Sequence, residues 1–216
     1  MLQPGCTFEE ATHAYRRDGL PIPSVTRILD HGGLVNFEMV RQDVLERKAT
    51  IGTLVHLATK FYDQGDLDWN SLDRYTRGRV EAWALFRKET GFTPRIIEEQ
   101  YIANVQGMSF GLTVDREGLL RGTSTIIEIK TASAPSEWWG LQTAGYAMAV
   151  PDPEEKLLTP ITCFMKRRRM AIMLLEDGSY KKIEHTENDD WQVFLWALGL
   201  THWKLKKGKA FRKIEE

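Results

Sequence analysis

Apolar positions change their period once along this chain. Up to about residue 92 they recur at helical spacing; from Arg95 onward they alternate in short runs. Ser24 is placed to cap a short helix, Val25–Asp30, which Gly32-Gly33 would end. Phe37–Ala49 and Ile51–Tyr62 read as two more helices. The second has Leu54, Leu57, Ala58 and Phe61 as its apolar stripe, and Gly65 ends it. A longer helix over Ser71–Glu89 would bury Val80, Trp83, Ala84 and Phe86, with Gly91 beyond its end. The entry to this region is irregular, and Asp18-Gly19 is a turn signal for a small hairpin. The N-terminal part, about 1–92, is therefore expected to be helical overall.

After the switch, strands are expected near 95–104, 108–116 and 124–131, with turns at Gln106-Gly107 and around Gly118–Gly122. A helix follows at about 136–149, then strands near 160–167 and 169–175, a turn at Glu176-Asp177-Gly178, and a short strand at 180–184. Thr186 or Asn188 could cap a last helix running to about Leu205. Helices, then an alternating stretch, then a helix returning to more strands predict an α/β fold, a central mixed sheet flanked by helices.

Composition narrows this only a little. The chain has 216 residues, 42% of them hydrophobic, enough for one domain with a real core. The expected parts are the helical region, a sheet region of about 93–185, and a C-terminal helix with a basic tail, about 186–216. A net charge of -1 gives no global hint of a nucleic-acid or membrane partner. Charge is uneven, though: Lys166, Arg167, Arg168 and Arg169 are consecutive, and the last sixteen residues hold six lysines and arginines. Such clusters are either solvated faces or contacts to a polyanion. Two cysteines, Cys6 and Cys163, make neither a zinc motif nor an iron–sulfur motif. The opening "MLQPGCTFEE" has no basic region followed by an apolar run, and no apolar stretch is long enough for a bilayer, so a cytoplasmic location is expected.

The run "TSTIIEIKTA" at 123–132 is where chemistry enters. On a strand, Glu128 and Lys130 share a face. Upstream, "GLTVDREG" puts Asp115 on a neighbouring strand, so two carboxylates can converge beside a lysine. Two hard oxygen donors in a polar cleft suit Mg²⁺, and the Ile129 carbonyl could add a third. Lys130 would then hold or activate a water. Three other segments could meet that point. "GTLVH" carries His56 off the apolar stripe, on the side of Thr53, Thr59 and Asp63. "WWGLQTAGYAM" puts Gln142 and Tyr146 on one helical face. In "IIEEQY", Glu99 points the same way as Ile97 and Tyr101, and Glu98 the other way. The alternative for the E-x-K pair is a cross-strand salt bridge on a solvent-facing sheet.

The order G-T-x-x-H, E, G-x-x-D, E-x-K, Q-x-x-x-Y resembles the PD-(D/E)xK nuclease superfamily, in its RecB-like branch of phage exonucleases and the mitochondrial genome maintenance exonuclease. "GLPIPSVTRIL" resembles the segment that opens such proteins, and the likeness runs from about Tyr15 to Tyr146. The resemblance implies a restriction-endonuclease-like core. It implies metal ligands at His56, Glu99 (or Glu98), Asp115 and Glu128, and a catalytic lysine at Lys130, with Gln142 and Tyr146 on the following helix. Val114 stands where the family's proline would be, and the four cysteines that bind an iron–sulfur cluster in some relatives are missing.

The expected function is a Mg²⁺-dependent DNA nuclease, an exonuclease acting in recombination, replication or repair, with Mn²⁺ able to substitute. Its substrate would be single-stranded DNA or duplex with an end. The arginines of "RYTRGR" and the basic tail would track the backbone, and Trp138 and Trp139 would stack on bases. A recombination or replication protein is a possible partner, and the gene a phage gene. The alternatives are a nucleic-acid-binding protein with a nuclease-like fold and no catalysis, and a phage structural or assembly protein.

Overall fold

A computed structural model of the protein describes residues 2, 4–10, 12–35, 42–151 and 159–208, with backbone alone for 42–48. The chain starts as a small antiparallel sheet: β1 (Cys6–Glu9), β2 (Ala14–Arg17) and β3 (Leu20–Ile22). The hairpin at Asp18-Gly19 is present, with both residues at positive φ (50° and 78°), as a two-residue turn requires. The expected helical N-terminus is thus corrected up to residue 22. Pro21 and Pro23 lack the N–H a helix needs and hold their predecessors extended. Helix begins only at α1 (Val25–His31), where the Ser24 hydroxyl accepts from the Arg27 N–H. Gly111 ties this region to the main sheet. A side chain there would collide with the Tyr15 ring, 2.1 Å from a Cβ, and its N–H donates to the Pro23 carbonyl.

Two long helices follow, α2 (Gln42–Gln64) and α3 (Arg74–Thr90). The two helices expected over 37–49 and 51–62 are one from Gln42 on; the expected start at Phe37 lies outside the described residues. Asp73 caps α3 by accepting from the Tyr75 and Thr76 N–H groups, and Gly91 ends it in the left-handed region. Ser71, the expected helix start, belongs instead to a separate 3-10 turn.

The main sheet is β4 (Thr93–Val105), β5 (Met108–Leu120), β6 (Thr123–Lys130), β7 (Arg168–Leu174) and β8 (Tyr180–Glu184), in that order. All neighbours are antiparallel except β6 and β7. A parallel pair requires a crossover. It is made by α4 (Trp138–Ala149) and α5 (Pro160–Lys166). A strand was expected at 160–167. Thr159 instead accepts from the Thr162 N–H and Pro160 occupies the first turn, both helix-start signals, so the strand begins at Arg168. The last helix, α6 (Asp190–Lys206), starts later than the expected Thr186 or Asn188 cap.

Two apolar layers clamp the sheet. Phe110, Leu112, Val114 and Ile126 pack with residues of α1, α4 and α6. Ile127, Ile129, Ile172 and Leu174 pack with Val55 of α2 and Trp83 and Phe86 of α3. The result is the mixed α/β arrangement anticipated from the pattern, a five-stranded sheet flanked by helices. Among the described residues no helix is long and apolar enough to cross a membrane.

Candidate metal centre

β6 supplies the first part of the site. Ile127 and Ile129 face the α2–α3 layer, so Glu128 and Lys130 face α4. Lys130 Nζ donates to Glu128 Oε1 (2.7 Å) and to Gln142 Oε1 (3.0 Å). Gln142 Nε2 donates to Glu128 Oε1 (2.9 Å) and to the Tyr146 hydroxyl (2.8 Å). One helical turn separates Gln142 from Tyr146, which puts both on the face of α4 that meets the sheet. The indole of Trp138 covers the ammonium, 4.9 Å from its ring centre.

β5 and α2 bring the second part. Asp115 Oδ2 accepts from the Ile129 N–H (2.7 Å), a bond that ties β5 to β6 at the site. His56 Nδ1 lies 3.0 Å from Glu98 Oε1 and 3.4 Å from Asp115 Oδ1. Donor atoms of His56, Glu98 and Asp115 all fall within 4.8 Å of one another.

The electrostatics are those of a place that wants a cation. Burial and the nearby Glu128 raise the Asp115 carboxyl well above the usual range. Burial alone would push the His56 imidazole down, but Asp115, Glu98 and Glu128 raise it to about 9. Burial likewise pushes Glu98 up; its bonds to His56 and Arg116 outweigh that and lower it. Burial and Glu128 push the Tyr146 hydroxyl above its ordinary value. The donor set fits a divalent ion on one further observation. Among the described residues Glu128 Oε2 is buried with no hydrogen-bond partner, so it keeps a free lone pair.

Glu98, rather than Glu99, joins this cluster. Strand alternation predicts the reverse, and it fails here for a visible reason. Ile97 pairs with Arg116 and Glu99 with Val114, and between these pairs the Glu98 backbone turns to a positive φ of 49°. Glu99 accepts from the Tyr101 hydroxyl instead (2.9 Å). The same break shows in β5: Val114 packs toward α4, while Arg116, two residues on, reaches Thr59 and Asp63 of α2. Of the apolar stripe expected on α2, Ala58 is buried, but Leu54, Leu57 and Phe61 are 44, 46 and 40% exposed, and Val55 and Thr59 are buried instead.

The basic segments are largely taken up by the fold. Arg167 donates to the Ala147 and Val150 carbonyls at the end of α4, and Arg169 to the Gly140 carbonyl and Asp190. Arg168 pairs with Glu184, and Arg79 of "RYTRGR" with Glu176. Trp139 is buried, and Trp138 is half-buried, packed between the core and the Lys130 ammonium. Lys206 and Lys207 are exposed; Lys209, Arg212 and Lys213 lie outside the described residues. Arg116 is the residue that sequence reasoning passed over. Its signal was a cation set between two carboxylates, Asp115 and Glu117, inside a strand that is otherwise mostly apolar.

No protein-family model and no curated relative matches the chain. Among solved structures it is similar to the protein SSO0001, at 16% identity and a TM-score of 0.36, over 58% of this chain and 57% of that one. The chain thus spans a little over half the length of SSO0001. It is also similar to LHK-Exo, an alkaline exonuclease from Laribacter hongkongensis, at 21% identity and a TM-score of 0.29, over 87% of this chain and 94% of that one. LHK-Exo in complex with dAMP gives 20% identity and a TM-score of 0.31, with the same coverage.

Proposed function

We propose that the chain is a divalent-metal-dependent DNA nuclease, an exonuclease of the PD-(D/E)xK type, in one domain over residues 1–216. One observation carries the reading: donor atoms of His56, Glu98 and Asp115 lie within 4.8 Å of one another, and Glu128, paired with Lys130 through Oε1 and acting on the charge of Asp115, keeps a buried Oε2 with no hydrogen-bond partner among the described residues. A salt bridge alone explains Lys130 and Glu128 Oε1, but neither the other two carboxylates nor the free oxygen.

Asp115, Glu128 and His56 would hold the ion, with Glu98 as the outer acidic residue and the Ile129 carbonyl as a backbone oxygen. A bound Mg²⁺ or Mn²⁺ supplies Lewis-acid polarisation of a phosphate oxygen and a more acidic water. The chain's own groups do the rest. The Ile129 N–H fixes Asp115 through Oδ2, leaving Oδ1 toward His56. Gln142, oriented by Tyr146, holds Glu128 and Lys130 in register. Lys130, steadied by the Trp138 face, would offer a positive charge and a donor to a water attacking phosphorus. The substrate is single-stranded DNA or duplex with an end, met through phosphate contacts that weaken with salt.

Labelled linear single- and double-stranded DNA, incubated with Mg²⁺, Mn²⁺ or EDTA, tests this. Cleavage in either metal and none in EDTA is the expected result, with Lys130→Ala slower by about 10²-fold. Binding without cleavage would point to a nucleic-acid-binding protein that lacks catalysis. If DNA is neither bound nor cut, the nucleic-acid reading is lost and an assembly role takes its place.

A further inference from the structure

Beneath the carboxylates lies a second charged layer. Arg116 is fully buried, and each of its guanidinium nitrogens is engaged. Nε donates to Asp63 Oδ2 (2.6 Å) and Nη2 to Thr59 Oγ1 (3.0 Å), while Nη1 donates to Glu98 Oε1 (2.8 Å) and the Asp115 carbonyl (2.6 Å). Asp63, also fully buried, accepts in addition from Arg87 Nη1 (2.6 Å) and Trp83 Nε1 (3.0 Å). Asp63 is therefore held from three directions, and it fixes the plane of the Arg116 fork.

Stability is a poor explanation for such a network, because buried ion pairs are often no better than apolar residues of the same volume. Position is a better one. Glu98 sits on a backbone at positive φ, and its Oε1 is met by Arg116 from below and His56 from the side. Arg116 grips the Asp115 backbone with the same nitrogen, so one rigid group registers two acidic residues from one strand pair. A lysine could not do this, since it lacks the planar fork.

We propose that Arg116, locked by Asp63 and Thr59, is a positioning residue that sets Glu98 and Asp115 in the geometry a divalent ion requires. It touches no substrate and acts through those two carboxylates. The inference rests on the metal-dependent reading of the site.

Mn²⁺ binding, followed by calorimetry and electron paramagnetic resonance on the full chain, tests it alongside DNA cleavage. Wild type binds Mn²⁺ and Asp115→Asn does not. Arg116→Lys and Asp63→Asn bind about 10–100-fold more weakly. Their kcat falls at subsaturating metal while KM for DNA holds, and excess Mn²⁺ restores kcat, which a damaged fold would not allow. Thr59→Val, nearly isosteric, shifts affinity in the same direction by less. Should Arg116→Lys fail to fold, Asp63→Asn and Thr59→Val decide. Wild-type Mn²⁺ affinity in the folded variants overturns the positioning role and leaves the site reading intact. A wild-type chain that binds no metal overturns both, and shows it without any variant.

Discussion

Glu128→Gln lowers DNA cleavage by at least about 10³-fold, close to 4 kcal/mol of transition-state stabilisation, in a chain that still folds. Its Oε1 is the shared acceptor of Lys130 and Gln142, and its Oε2 is the buried oxygen without a partner. The amide keeps an oxygen for the first role and loses the anionic donor for the second. Folding should survive because the loss of charge at a nearly dry position offsets the weakened contact to Lys130. A melting temperature within about 4 °C of wild type, with cleavage gone, is the outcome to look for. Undiminished cleavage by Glu128→Gln would reduce the pair to a cross-strand salt bridge.

Divalent metal should also be visible without DNA. Glu98 and Glu128 both act on the charge of Asp115, and among the described residues His56, Lys130 and Arg116 offset these carboxylates. An ion that binds only the folded chain adds about 2.7 kcal/mol at a concentration near 100 times its Kd. For a chain of this length that raises the melting temperature by about 5–11 °C. Mg²⁺ or Mn²⁺ should produce the shift in a thermal scan, EDTA should reverse it, and Asp115→Asn should abolish it. Asp115→Asn should itself melt no lower than metal-free wild type, because the amide can still accept from the Ile129 N–H and relieves the repulsion with Glu128. A melting temperature indifferent to both ions would remove the metal from the site.

What the sequence made legible was whatever obeys a simple period. Glu128 and Lys130 share a face because β6 alternates cleanly, and Gln142 and Tyr146 share one because α4 is regular. A helix near 136–149 between strands near 124–131 and 169–175 was readable for the same reason. What stayed hidden sits where the period breaks. No pattern announces the left-handed backbone of Glu98, and that single residue decides which of two adjacent glutamates meets His56. On α2 the apolar spacing of Leu54, Leu57 and Phe61 pointed away from the buried face, which is in part polar because it must meet Arg116. Pro21 and Pro23 already argue against helix before Ser24, and Thr159-Pro160 is a helix-start signal masked by the apolar run that follows it.

The backbone of Glu98 has a consequence for anyone selecting improved variants. A left-handed residue with a Cβ is strained by roughly 1–3 kcal/mol, and glycine relieves much of that. Thermal selection should nonetheless not enrich Glu98→Gly, because that change strips a carboxylate partner from the fully buried Arg116 and from His56, a loss that exceeds the strain relieved.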